Sequence, residues 1–166
     1  MFRGNLKIED LTLYGQKRRV CAVNYFAKGG LPNSFFLQQF FGNEGGFGKR
    51  YWQSFAEVLC ARGLPRVADV ADDMLIWLQD INWPGNYAII QFVKAHFNEF
   101  KPAVIRAVER AHSERDVIWF EWLLLCFFPN STYVQELVDY LDDDNWKEFD
   151  EIYGMQALLV ELENYR

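Results

Sequence analysis

Residues Val117 to Phe128 form a run of twelve in which Glu121 is the only charge. A helix carrying Ile118, Trp119, Phe120, Trp122, Leu123, Leu124 and Leu125 has apolar side chains in nearly every direction and no polar face to give to water. The run is too short, and too charged, to span a bilayer. It therefore predicts a buried helix at the centre of an all-α fold, with other helices packed round it.

The flanking sequence supplies those helices. Val67, Val70, Ala71, Met74, Leu75 and Leu78 recur at helical spacing, as do Ala88, Ile89, Phe92, Val93, His96 and Phe97. Asp80 to Gly85 separates the two stripes, with Pro84 suited to a first helical turn. Pro102 is placed at the start of a helix bearing Val104, Ile105 and Val108. Ser113 and Asp116 form a cap-like entry to the central run, and Pro129-Asn130 closes it. Thr132 and Gln135 have capping-box spacing for a helix carrying Leu137, Val138 and Leu141. Asp142-Asp143-Asp144-Asn145 reads as a turn before a last helix from Trp146 to Glu163.

Paired in order, these elements make three antiparallel hairpins. Their first helices begin near 67, 102 and 132, and their second near 84, 115 and 147. That period falls in the range of helical-repeat arrays, and the expected architecture is a HEAT-like stack of hairpins. The chain reads as one domain, 1–166. Residues 1–63 form a less regular helical part, in which Gly15 and Gly29-Gly30 interrupt, and Pro32 opens a segment with Phe35, Phe36, Phe40 and Phe41. Residues 64–166 hold the hairpins. A helix over Lys49 to Arg62, closed by Gly63, joins the two parts.

Charge is unevenly divided. Residues 1–66 hold ten Lys/Arg and four Asp/Glu, a net of +6; the remainder holds seven and 19, a net of −12. Between 136 and 163 there are ten acids and one base, Lys147. Such a surface repels phosphate backbones and attracts basic partners, which argues against nucleic-acid binding. Cys21, Cys60 and Cys126 are odd in number and widely spaced, with neither a disulfide framework nor a zinc spacing. With no signal-peptide pattern at Met1 to Lys7, a cytoplasmic setting is expected, with no membrane association.

The motifs that could carry chemistry fail on inspection. The loop Gly42 to Gly48 before Lys49 lacks phosphate-loop spacing, has Arg50 where a hydroxyl is needed, and follows no strand. Asp142 to Asp144 lacks the central glycine of a calcium loop. His96 lies on an apolar stripe and reads as a core residue. His112 falls at a helix end, where a cation suits the dipole. No enzymatic role, metal or cofactor is therefore expected.

The segment Met74-Leu-Ile-Trp-Leu-Gln-Asp-Ile-Asn-Trp-Pro84 resembles the most distinctive stretch of the DUF5071 family, uncharacterised bacterial helical proteins. Asp116-Val-Ile-Trp119 resembles its second signature. The resemblance covers about 64–163 and implies a HEAT-like fold without catalytic residues. Gly85 departs from it, a small apolar residue such as Val being expected there. Read physically, the first segment is a hairpin clasp in which Trp83 packs back on the preceding helix, while Asp80 and Asn82 bond free backbone groups at the corner.

The function expected is non-catalytic protein binding. Its concrete form is an immunity-type protein that neutralises a basic toxin domain through Asp139, Asp142, Asp143, Asp144, Glu148, Asp150 and Glu151. The competing expectation is a helical-repeat scaffold gripping a peptide or protein, and behind it an enzyme with a dispersed site.

Overall fold

A computed structural model of the chain describes residues 6–12, 16–37, 48–141 and 145–165, without the side chains of 132, 133 and 135. Among the described residues the regular structure is entirely helical. The α-helices are α1 (Lys17–Ala27), α2 (Trp52–Arg62), α3 (Ala71–Leu75), α4 (Asn86–Ala95), α5 (Phe97–Glu114), α6 (Val117–Phe127), α7 (Thr132–Tyr140), α8 (Trp146–Ile152) and α9 (Met155–Asn164). No helix among the described residues is long and apolar enough to cross a membrane. The chain divides into two compact units, one of residues 1–77 and 82–92, the other of 78–81 and 93–166.

In the first unit α1 packs along α2, and a 3-10 turn at Ile8–Thr12 packs beside α1. Ala22, Phe55, Ala56, Val58 and Leu59 are wholly buried there. Buried Arg19 reaches across from α1, donating to Ser54 Oγ at 2.9 Å and to Glu57 Oε2 at 2.5 Å. Ser54 in turn donates to the Leu11 carbonyl. A buried guanidinium is costly unless paired, and these contacts tie three elements together through it. Near the end of α2, Arg62 donates to the carbonyls of Phe26 and Leu31 and to Asn33 Oδ1. It thereby anchors the chain that leaves α1 through Gly29 and Gly30, both at positive φ. Partial burial holds the Arg62 pKa below its ordinary value.

The corner after Trp77 is the tightest feature of this unit. Trp77 is fully buried and donates its indole N–H to the Pro84 carbonyl at 3.0 Å. Asn86, 2% exposed, donates back to the Trp77 carbonyl at 2.7 Å. Trp83 meets Trp52 of α2 edge-on, with centroids 5.1 Å apart. Between them Gly85 stands at φ +98°, its N–H donating to Gln53 Oε1 at 2.9 Å. A Cβ at this position would lie 2.6 Å from Ala56 Cβ and 3.0 Å from the Trp52 carbonyl oxygen. Glycine at position 85 is thus a steric requirement: Val here would push α2 away. The expected clasp takes a different form: Trp83 rests on Trp52 of α2, and Asn86 takes the carbonyl of Trp77.

Several predicted helix limits shift. The stripe from Val67 is a 3-10 turn (Ala68–Val70), the short α3, and a second 3-10 turn (Ile76–Gln79); both helix types bring residues three apart onto one face, so the pattern alone does not separate them. α5 begins at Phe97 and carries Pro102 inside it, rather than opening on Pro102. Ser113 belongs to the last turn of α5, donating to the Arg110 carbonyl, so Asp116 alone caps α6, accepting from the Trp119 N–H at 3.0 Å. Ser131 holds the N-cap position of α7, and its hydroxyl donates to Glu161 at 2.8 Å. The Thr132 and Gln135 side chains lie outside the described residues, as do Gly15, Phe40, Phe41 and Gly42 to Phe47. The last predicted helix is two, α8 and α9, because Gly154 at φ +67° turns the chain between them.

The second unit is built round α6, which packs against α5 and α7 while α9 packs on α5. Trp119, Phe120, Leu123, Leu124 and Phe127 are buried as predicted, yet Ile118 is 59% exposed and Trp122, Leu125 and Cys126 are half-buried. The central helix is therefore covered on one side and partly open on the other.

Two outcomes test the first unit. Gly85→Ala should cost about 2–4 kcal/mol in chemical unfolding, and Gly30→Ala, at φ +95° with nothing near its Cβ, about 1–2 kcal/mol. Equal costs would show that the approach of Gly85 to α2 is not what matters. Cys60, whose thiol donates to the Ala88 carbonyl and is pushed up to about 12 by burial and by Glu57, should resist alkylation at pH 8 until the protein unfolds. Native labelling as fast as that of an unfolded thiol would contradict this.

Candidate functional site

Of the seven acidic candidates, Glu148, Asp150 and Glu151 fall on the two-turn helix α8 and are exposed. Asp139 is exposed on α7, a separate element, and Asp142, Asp143 and Asp144 lie outside the described residues. The sequence of α8 explains the sorting. Trp146 and Phe149 stand three apart and turn inward, at 2% and 0% exposure. Lys147, Glu148, Asp150, Glu151 and Ile152 are left facing out.

What α8 rests on is an aromatic cluster assembled from three helices. Phe120 of α6 meets Trp146 edge-on at 5.4 Å and Phe149 at 6.2 Å between centroids. His112, in the last turn of α5, lies 4.9 Å from Trp146 and 5.8 Å from Phe149. Its Nε2 is 2.8 Å from Asp150 Oδ1, so the imidazole N–H donates to the carboxylate at the rim of the cluster. The histidine side chain is mostly covered, whereas that of Asp150 is about half exposed. This pair fixes the rotation of α8 about its own axis. One candidate carboxylate, Asp150, is thereby engaged inside the protein.

The remaining groups of α8 face outward. Glu148, Glu151 and Ile152 are related by three and four residues, and so share one face. Ile152, the last residue of α8, is 58% exposed, an apolar group one turn beyond Glu148. Glu151 also lies 3.8 Å from Lys147, an exposed pair of small energetic weight. An exposed apolar side chain with carboxylates near it is a combination that protein interfaces use. Among the described residues no group of three or more His, Cys, Asp or Glu is placed to hold a metal ion.

Two features here were missed in the sequence. The partner of His112 stands 38 residues away, beyond any local spacing rule. The second is a cleft on another part of the unit, in two adjoining hollows of about 300 and 490 Å³ that share Phe97, Phe127 and Tyr165. The one available signal was the pair of lysines, Lys94 and Lys101, bracketing Phe97 in an otherwise acidic half.

A family model described as a domain of unknown function, DUF5071, matches residues 52–136, just over half of the chain. No curated protein and no solved structure matches it. The match starts earlier than the expected residue 64, at Trp52, and ends within α7. The early start has a physical counterpart, since Trp52, Gln53 and Ala56 of α2 are the residues on which Trp83 and Gly85 rest. Every acidic candidate lies beyond the matched residues.

The cluster and the outward face separate in experiment. Phe120→Ala should lower stability by about 3–5 kcal/mol, read by denaturant titration. Glu148→Lys together with Glu151→Lys should change it by less than about 1 kcal/mol, since both side chains are exposed. A large loss from the double charge reversal would mean that these carboxylates hold the fold rather than face a partner.

Proposed function

This chain belongs to the DUF5071 family, and because that family carries no assigned function, we propose one from the chain's own surface: a non-catalytic protein-binding domain that receives a basic protein on the outer face of α8. Its concrete form is the neutralisation of a toxin domain. The observation that carries the reading is that Glu148, Glu151 and the exposed Ile152 all face outward from a helix whose inner side is locked by Trp146, Phe149 and the His112–Asp150 pair. Interfaces draw most of their affinity from a few anchors that exclude water, and charged rims add steering and selectivity. A rigid face also loses little conformational entropy on binding.

The wider charge pattern supports the same reading. The net of −12 over residues 67–166 produces a field that attracts cationic proteins and repels nucleic acids. A toxin acting on nucleic acid is itself basic where it grips its substrate, and an acidic face can occupy that surface. The finer architecture proposed with it is a HEAT-like stack, in which α5 with α6 is the clearest hairpin, joined through Arg115 and Asp116. Cytoplasmic placement belongs to the same proposal, as does the absence of catalysis.

The partner to test is the polypeptide encoded immediately beside this chain's gene. Co-expression of the two should rescue growth if that polypeptide is toxic, and the purified pair should form a complex that weakens with salt. The triple change Glu148→Lys, Glu151→Lys and Ile152→Asp should lower affinity at least about 100-fold with the fold intact. Undiminished rescue by that variant, or the absence of any complex, would sink the proposal.

A further inference from the structure

The cleft in the second unit has a different chemistry from the α8 face. Its wall is aromatic. Phe97 and Phe127 are near parallel, at 24° with centroids 6.3 Å apart, and Phe97 meets Phe128 edge-on at 5.7 Å. Tyr165 closes the far side, packed edge-on against Phe128 at 6.0 Å. Phe127 is 5% exposed and so forms a floor, while Phe97 and Tyr165 are half-buried walls.

Cations stand at both ends. Lys94 lines the hollow that contains Cys126, Pro129 and Asn130. Lys101 lines the larger one together with Asn98. Lys101 is held at its station by donating to the Glu163 carbonyl, which engages one of its three N–H groups and leaves two. Lys94 is exposed and has no ion-pair partner among the described residues. Its charge nevertheless reaches the cleft: burial pushes the Cys126 thiol up, and the Lys94 ammonium opposes that rise.

We propose that this cleft binds a small apolar carboxylate, its hydrocarbon or ring lying on Phe97, Phe127 and Tyr165 and its carboxylate meeting Lys94 or Lys101. Volumes of about 300 and 490 Å³ are those of small-molecule sites, which are mostly apolar with a few placed polar groups. The charge balance selects against a large acidic partner. Residues 67–166 carry a net of −12, so an acidic protein or a nucleic acid would be repelled over most of its contact area. A small carboxylate responds chiefly to charges within about 8 Å, the screening distance at physiological salt, and Lys94 and Lys101 line the cleft itself. The site is separate from the α8 face and stands whether or not that face binds a protein.

Octanoate and its neutral counterpart 1-octanol are the probes, titrated into the full chain with calorimetry and with NMR shifts of the aromatic side chains. Octanoate should bind at least about tenfold more tightly than octanol and shift Phe97, Phe127 and Tyr165. Lys94→Met with Lys101→Met should bring octanoate down to octanol's affinity. Lys94→Arg with Lys101→Arg should keep the preference for the anion. Tyr165→Ala should weaken both probes alike. Equal binding of the two probes, a preference that survives the double Met change, or shifts located outside the cleft would overturn the proposal. So would binding of an acidic peptide where octanoate does not bind.

Discussion

The contact of Gly85 with α2 is the constraint from which the first unit is built. At that point two backbones come so close that no side chain fits, and the positive φ suits glycine alone among common residues. Everything nearby follows from keeping that approach. Trp77 fills the space beneath and spends its indole N–H on the Pro84 carbonyl. Asn86 returns a bond to the Trp77 carbonyl, and Gln53 takes the N–H of Gly85 itself. Trp83 then lies on Trp52. A buried corner would normally strand several backbone groups, and each of these contacts removes one such cost. The polar bonds make the geometry specific, while the indoles of Trp52, Trp77 and Trp83 add apolar packing.

The second unit solves a different problem. Its central helix has apolar side chains on all sides, yet only one side is fully covered. That side carries Phe120, which is also the pivot for His112, Trp146 and Phe149. Because α8 has only seven residues, it is too short to hold itself as an isolated helix, so its orientation depends on this packing. The His112–Asp150 contact adds direction to an otherwise greasy interface, since aromatic packing alone tolerates rotation more readily than a hydrogen bond does. The outward aim of Glu148, Glu151 and Ile152 is thus a consequence of what α8 buries.

Helical content and the motif from Met74 to Pro84 were legible because both depend on local signals. An apolar period, a proline and a cap position act within a few residues of themselves. The burial of Trp119 and Phe120 followed from composition. What sequence could not show was set by distant partners. Gly85 read as a departure because its reason, Ala56, lies on another helix. The actual partner of His112 was out of reach because Asp150 comes from α8. The division of the last helix turned on one backbone angle at Gly154, and a single glycine within a helical pattern is ambiguous between a tolerated residue and a stop. Of the acidic candidates, the three on α8 could be sorted into engaged and outward only once the inner side of that helix was known.

The second unit therefore presents two kinds of surface that its net charge alone would hide. Long-range attraction is governed by the summed field, which is acidic and favours a large basic partner. Binding within the cleft is governed by what lies within a few ångström, and there the groups are aromatic rings and two ammonium ions. The two do not compete, because screening confines each lysine's influence to its own surroundings while the acidic excess acts on any body large enough to sample it. A lysine pair kept at an aromatic cleft inside an acidic unit gains nothing for solubility, which the carboxylates already provide. Its physical effect is local: under the proposal above it lowers the cost of bringing one negative group out of water beside Phe97 and Phe127, which would distinguish a carboxylate from a neutral molecule of the same shape.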